Sequence, residues 1–323
     1  MKREVMVLAA DVGGTKTLLG LFRPGPRGPR LARESSLPSR HYRSLAAMIG
    51  EFLGQGPRVN LRAACLAVAG PVEGNKARLT NLPWRIDGAR LAAVIGAPRI
   101  RLLNDVRAAA YGMLFADKNA FVPLNPAAPP FKGKGSKANM ALIAPGTGLG
   151  EAMLYWDGQR HHAIAAEAGH ADFAPRNDEE AALREYLQGR YGKVSVERVL
   201  SGPGLAAIHD YVRGTRGAAL DAQAIADAAL AKSNAHCVKA LEMFAGALAS
   251  EAGNLALRTL ARGGIIIGGG IAPKILPALR TANFRRAYAD KDRMGDLLRK
   301  IPVVVALEKR AALFGAAREA IAL

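Results

Sequence analysis

The sequence predicts an α/β fold with mixed sheets, arranged as two related domains. Three observations point there. Within residues 5–22, apolar runs rich in Val and Leu flank Asp11-Val12-Gly13-Gly14-Thr15-Lys16-Thr17, the pattern of two strands joined by a glycine-bounded bend. The pattern returns over 140–156, where one apolar run meets Pro145-Gly146-Thr147-Gly148-Leu149-Gly150 and a second follows. Around both hairpins, short apolar runs alternate with segments of helical periodicity. Two similar hairpins far apart imply two sheet domains facing one another across a cleft.

The elements follow in order. After the first hairpin, the Pro-, Gly- and Arg-rich stretch 23–30 is a loop. The spacing of apolar residues predicts a helix over 44–53 and a buried strand over 62–69. Gly70-Pro71-Val72-Glu73-Gly74 is a turn. Residues 88–95 read as a helix, 99–103 as a strand ending in Asn104-Asp105, and 106–114 as another helix. The Pro-, Gly- and Lys-rich segment 125–137 predicts a mobile surface loop. Beyond the second hairpin, helices are expected over 179–191 and 196–200, from Gly202-Pro203-Gly204 through Tyr211, and over 220–231 and 235–261. A third apolar run, Gly264-Ile265-Ile266-Ile267, ends in Gly268-Gly269-Gly270 and leads into a helix-like segment. A short strand over 302–306 and a terminal helix over 310–320 close the chain.

A length of 323 residues with 50% hydrophobic content allows a large buried core and favours two domains. No apolar run is long enough to cross a bilayer, and the first apolar stretch is too short for a signal peptide. The two cysteines, Cys65 and Cys237, form neither a disulfide framework nor a zinc cluster and are expected to be buried thiols. A cytoplasmic protein is therefore expected. Its 45 basic and 27 acidic residues give a net charge of +18. The basic residues are scattered through PGPRGPR, PRIR and KGKGSK, without a dense tract or interleaved aromatics. That distribution fits a cationic surface attracting anionic substrates better than a specific nucleic-acid site.

The glycine bends invite a phosphate, because backbone without Cβ atoms lets N–H groups approach an oxyanion. Asp11 ends the first strand and Thr15 lies beyond the glycines, a pair suited to a metal-bound phosphate. The spacing matches neither the P-loop nor the dinucleotide fingerprint. Asn104-Asp105 lies at a strand end, where α/β proteins place ligand groups. Asp105 there can accept a proton from a substrate hydroxyl while Asn104 holds a neighbouring one; local sequence also suits Asp as a helix N-cap. Glu167 and His170 share a loop and can reach one polyol. Glu-x-x-His also furnishes metal ligands, but no further His/Cys cluster supports zinc. His41, His161, His162, His209 and His236 read as structural. Glu197 has the pattern of a glutamate in a first helical turn, favoured by the helix dipole.

Seven segments together resemble the bacterial glucokinase family of the actin-like/hexokinase ATPase superfamily. They are DVGGTKT at Asp11, TNLPW at Thr80, LNDVRAAAYG at Leu103, APGTGLGEA at Ala144, EAGHADFAP at Glu167, VSVERVLSGPGL at Val194 and GGIIIGGGIAPK at Gly263. The resemblance covers nearly the whole chain in order. It implies a two-lobed actin-like ATPase (ribonuclease H-like) fold, with a small domain of 1–106 plus 308–323 and a large domain of 107–307. It implies transfer of the γ-phosphoryl group of ATP to the 6-hydroxyl of glucose. Asp105 would be the general base, and Asn81, Asn104, Glu167, His170 and Glu197 would hold the sugar. Gly13, Gly14 and Thr15 would form one phosphate loop, Thr147 and Gly148 the second, with Gly269, Gly270 and Ile271 beside the adenosine. Asp11 would hold Mg²⁺ through water. Glucose and ATP would be the partners, in a cytoplasmic homodimer that binds no membrane and no specific nucleic acid.

One residue departs from the family's pattern: Ala168 stands where the family often has the first of two glycines before the sugar-loop histidine. The extra methyl is expected to shift sugar preference slightly. Alternatives are a related kinase for another hexose or an amino sugar, and a non-catalytic sugar-responsive regulator. The first group commonly carries a cysteine-rich zinc motif after that histidine, which this sequence lacks there. The second would need a helix-turn-helix ahead of Asp11, where ten residues stand. ADP or polyphosphate stays open beside ATP as donor.

Overall fold

The computed structural model describes residues 4–26, 28–79, 82–214 and 220–323. They divide into two compact units, Met1–Ala116 with Arg310–Leu323, and Asp117–Lys309.

Unit 1 is built on a five-stranded sheet. Strands β1 (Val5–Val12), β2 (Lys16–Arg23) and β3 (Arg30–Pro38) form an antiparallel meander. Next to β1 lie β4 (Asn60–Val68) and β8 (Ile100–Asn104), both parallel to it. Short strands β5 (Val72–Glu73), β6 (Lys76–Arg78) and β7 (Arg85–Asp87) make a separate antiparallel sheet. The run VMVLAADV is apolar on both sides because its strand is covered on both faces. Met6, Leu8 and Ala10 face α1 (Leu45–Gly54), which buries Leu45, Met48, Ile49 and Phe52. Val7 and Ala9 face the C-terminal helix Ala311–Ala322 through Leu313, Ala316 and Ala317. Helix α2 (Gly88–Ile95) starts at Asp87, whose carboxylate accepts from the N–H groups of Ala89 and Arg90.

Helix α3 (Asp105–Leu114) belongs to this unit. A Cβ on Gly112 would lie 1.8 Å from the Ala311 carbonyl oxygen, and one on Gly315 equally close to that of Ala108. The two helices thus meet backbone to backbone. The sequence reading divides the chain at 106/107 and 307/308; the compact units divide at 116/117 and 309/310, with the whole of α3 in unit 1.

Unit 2 holds a six-stranded sheet with the same kind of centre. Strands β10 (Met140–Pro145), β11 (Leu149–Trp156) and β12 (His161–Ala166) form the meander. Parallel β13 (Gly264–Ile267) and β14 (Val303–Ala306) follow β10, and β9 (Phe121–Pro123) closes the edge antiparallel. Helices α4 (Asp178–Tyr191), α5 (Gly202–Arg213), α6 (Ala222–Leu230) and α7 (Ala235–Thr259) contribute to its large core. Cys65 and Cys237 are both buried, free thiols.

Three details differ from the sequence reading. The segment 196–200 forms only a single 3₁₀ turn, Val196–Arg198. After Gly268-Gly269-Gly270 the chain runs through turns before a one-turn helix at Leu276–Leu279. Strands β3, β5, β6, β7, β9 and β12 lie outside the sequence reading. Strand β3 alternates exposed and half-buried residues, without the apolar run that marks a buried strand, and β5, β6, β7 and β9 span only two or three residues each.

Candidate active site

In unit 1 the carboxyl ends of three parallel strands converge. Asp11 pairs in register with Ala67 of β4, and Ala67 pairs with Leu103 of β8. Asp11 therefore stands level with the end of β8, with β4 between them. Asn104, not Asp105, caps α3: its Oδ1 accepts from the Arg107 N–H at 3.1 Å, and its Nδ2 donates to the Gly70 carbonyl at 3.3 Å. Asp105 takes the first helical position, and its Oδ1 accepts from the Val106 N–H at 2.9 Å. A carboxylate there benefits from the helix dipole. Burial, and secondarily the charge of Asp105, push the Asp11 carboxyl up to about 6, with Lys16 opposing.

The bend after Asp11 is braced by a residue that sequence reasoning missed. Ser39 donates from Oγ to the Gly13 carbonyl at 2.7 Å, and its N–H donates to the Thr15 carbonyl at 2.9 Å. Its hydroxyl also meets that of buried Thr17 at 3.0 Å. Close approach is what requires glycine at 13, since a Cβ there would sit 2.8 Å from the Lys16 carbonyl oxygen. Asn75 was missed as well. With φ of 60°, it donates to the Ile100 carbonyl and accepts from the Leu102 N–H, clamping the strand that delivers Asn104. Asn81 lies outside the described residues. A cavity of about 1090 Å³ in this unit is lined by Pro71, Arg78, Trp84 and Arg90 among others, and by none of the candidate residues among the described ones.

In unit 2 the second bend, the sugar-loop candidates and Glu197 gather around Leu149. Glu197 lies in the single 3₁₀ turn Val196–Arg198, as a first-turn residue but of no longer helix, and its Oε2 accepts from the Leu149 N–H at 2.8 Å. A Cβ on Gly148 would lie 2.4 Å from that same oxygen, and one on Gly169 would lie 2.5 Å from the Leu149 carbonyl oxygen. Glu167 and His170 are both exposed and flank a 3₁₀ turn, with Oε2 and Nε2 4.0 Å apart. The loop is tied to the Glu197 segment by Phe173 N–H to the Val194 carbonyl and Val196 N–H to the Ala171 carbonyl. Gly146 is pinned by the N–H of Gly202, and the Ser201 hydroxyl holds the Glu197 carbonyl at 2.7 Å. Thr147 is exposed at the tip.

Gly269 to Ile271 lie against the same bend. Gly269 has φ of 77°, and a Cβ there would be 2.3 Å from the Pro145 carbonyl oxygen. The Ile271 N–H donates to that carbonyl at 3.3 Å. No atom would crowd a Cβ on Gly270 within 4 Å, leaving space beside an otherwise tight turn.

Each unit thus presents a glycine bend at the carboxyl end of an interior strand, β1 or β10, next to polar side chains able to hold hydroxyls or move a proton. The family model for glucokinase matches residues 8–322. The chain belongs to the glucokinase family. It is 38% identical to a glucokinase of Synechocystis over 97% of both chains. The crystal structure of a glucokinase from an Antarctic psychrotroph superposes with a TM-score of 0.86 at 30% identity, covering 98% of this chain and 99% of that one. A glucokinase from Balamuthia mandrillaris in complex with glucose shares the fold, with a TM-score of 0.81 at 24% identity over 98% and 93% of the two chains. The fold is that of the actin-like sugar kinases.

A hard divalent cation fits the donors of unit 1. Among the described residues no group of three or more His, Cys, Asp or Glu side chains could cage a metal. Magnesium needs none, because it binds through one or two carboxylates, water and substrate phosphates. A nearby cation would also offset the burial that disfavours charge on Asp11.

Proposed function

We propose that this chain transfers the γ-phosphoryl group of ATP to the 6-hydroxyl of glucose, giving glucose 6-phosphate and ADP. Family membership supports the reaction class. The observation that carries the residue assignment is the division of labour at 104 and 105: Asn104 supplies the helix cap, so the Asp105 carboxylate is not required for it.

In this reading Asp105 aligns the 6-hydroxyl and accepts its proton as the oxygen bonds to the γ-phosphorus. The bond from that phosphorus to the bridging oxygen breaks, and ADP leaves with the electron pair. Phosphoryl transfer depends on in-line positioning and charge neutralisation more than on covalent help. The Gly13 N–H closes the first bend on the Lys16 carbonyl, so Gly13 would shape the phosphate loop. Backbone N–H groups of Gly14, Thr15, Thr147 and Gly148 would neutralise phosphate oxygens, and Gly269, Gly270 and Ile271 would flank the adenosine. Asp11 would hold Mg²⁺ through water, the ion supplying further charge neutralisation. Asn104, Glu167, His170 and Glu197, with Asn81, would hold the sugar hydroxyls.

We assign the enzyme to the cytoplasm, at the entry of glucose into glycolysis, as a homodimer; no helix among the described residues is long and apolar enough to cross a membrane. A donor-by-sugar activity matrix on purified protein tests the reading, with sedimentation for the dimer. ADP release that depends on glucose and ATP is the expected result. Preference for another hexose or an amino sugar would reassign the substrate, and binding without turnover would favour a regulator.

A further inference from the structure

Glu151 of β11 takes no part in the chemistry proposed above, yet its position is unusual. It has 0% exposure, and neither carboxylate oxygen has a hydrogen-bond partner among the described residues. An ionised carboxylate in such a place is strongly disfavoured, whereas a neutral acid is tolerated. The charged groups that bear on it come from α7. Glu251 opposes its ionisation and Arg258 favours it. Arg258 is already engaged, its Nη1 donating to Glu251 at 2.7 Å, and Asn254 donates to the other Glu251 oxygen at 2.8 Å. Lys291, which also feels Glu251, is held by the Ser250 hydroxyl. The flanking strands present uncharged Ile143 and Ala166 at the register of Glu151.

The strand carrying Glu151 is also the support of the sugar-loop candidates. Ala166, its partner in β12, immediately precedes Glu167. Leu149, two residues earlier on the same face of β11, receives Glu197 on its N–H and is crowded by Gly169 at its carbonyl. Leu149 itself packs into the core with residues of α5 and α7. A small displacement of β11 from α7 therefore moves the supports of Glu167, His170 and Glu197 together.

We propose that Glu151 is a positioning residue whose neutral form seats β11 against α7 and so holds the sugar-binding side chains in place. The inference rests on the assignment of Glu167, His170 and Glu197 to the sugar. When Glu151 loses its proton to bulk water, its charge faces that of Glu251 in a desolvated layer, and the strand is pushed from its seat. Burial, and then Glu251, raise the Glu151 carboxyl to about 7, which puts the transition within the physiological range. Glucose affinity should then fall as the pH rises, with turnover at saturating sugar less affected.

The test measures glucose KM and kcat at saturating ATP from about pH 5.5 to about pH 8.5 in wild type, E151Q and E251Q. For wild type, KM is expected to rise about fivefold or more across that range, the scale of a typical coupling between sites. E151Q should keep the low-pH KM throughout. E251Q should shift the wild-type midpoint to lower pH, because it removes the opposing charge and frees Arg258. An E151Q profile that tracks wild type, or an E251Q midpoint that does not move, overturns the proposal. Should E151Q fail to fold, E251Q decides, together with the infrared carbonyl band of a protonated carboxyl disappearing from folded wild type as the pH is raised; a band that persists unchanged also overturns it. E167Q separates the two levels. If E167Q leaves KM unchanged, the sugar assignment falls and the inference falls with it. If E167Q raises KM while E151Q tracks wild type, the inference alone is wrong.

Discussion

The Glu197 carboxylate accepts a hydrogen bond from the backbone N–H of Leu149 at 2.8 Å, and Gly148 leaves room for that contact and nothing larger. One oxygen is thereby fixed, and the side chain loses the freedom to leave the second bend. Glu197→Gln keeps the shape but weakens a charge-assisted bond of about 1.5–3 kcal/mol. Glucose KM is expected to rise about tenfold or more. Gly148→Ala should reproduce that rise, since its methyl would displace the carboxylate from 2.4 Å away. Steady-state kinetics of the two variants check the pairing, and a normal KM in G148A would show that the contact does not position Glu197.

Asp105→Asn is isosteric and leaves the cap to Asn104. Fold stability should change little, and glucose binding measured by calorimetry should stay near wild type. Turnover should fall by about 10²–10⁴-fold, the usual contribution of a positioned base. Near-normal kcat in D105N would remove Asp105 from the role of base.

How much of this could be read from the residues depends on what kind of atom does the work. The bends at 13–15 and 146–148 were legible because glycine next to β-forming runs is a local signal, and local signals survive without tertiary information. The cap at Asn104 was half legible: the strand end was evident, but which of two adjacent cap-forming residues takes the cap depends on where the helix begins. Ser39 and Asn75 were invisible, since each acts on backbone groups that the fold brings near, 26 and 25 residues away in sequence. Leu149 was hidden for a different reason. Its contribution to the site is its peptide N–H and C=O, which every residue but proline carries. The packing of α3 on the C-terminal helix is hidden similarly, because that backbone contact leaves only Gly112 and Gly315 as traces.

Those two glycines give a stability expectation. A methyl at either position would overlap a carbonyl oxygen of the facing helix, 1.8 Å from where the Cβ would lie. Backbone cannot yield as a side-chain tip can, so the helices must separate and lose packing of Leu313, Ala316 and Ala317 against β1 and β4. Gly112→Ala or Gly315→Ala should cost at least about 1–3 kcal/mol, the range for overpacking a core. The control is Gly50→Ala in α1, where no atom lies within 4 Å of the added Cβ; it should be neutral or stabilising through helix propensity. Chemical denaturation of the three variants checks the order, and equal midpoints would contradict backbone contact between the helices.

Buried Glu151 adds a pH dependence to stability, apart from any effect on the sugar. Its carboxyl is raised to about 7 in the folded chain by burial and Glu251, whereas in the unfolded chain it titrates near the ordinary value of about 4.3. A raised acid favours the folded state fully at pH below the unfolded value. That contribution is lost as pH climbs toward and through 7, because the unfolded chain releases the proton more easily. The difference corresponds to on the order of 3 kcal/mol. Glu151→Gln cannot ionise, so its stability relative to wild type should improve steadily between about pH 4.5 and about pH 7 and then level off. Equilibrium denaturation at a series of pH values measures this difference directly. A constant offset between the two proteins across that interval would mean that Glu151 titrates normally in the fold.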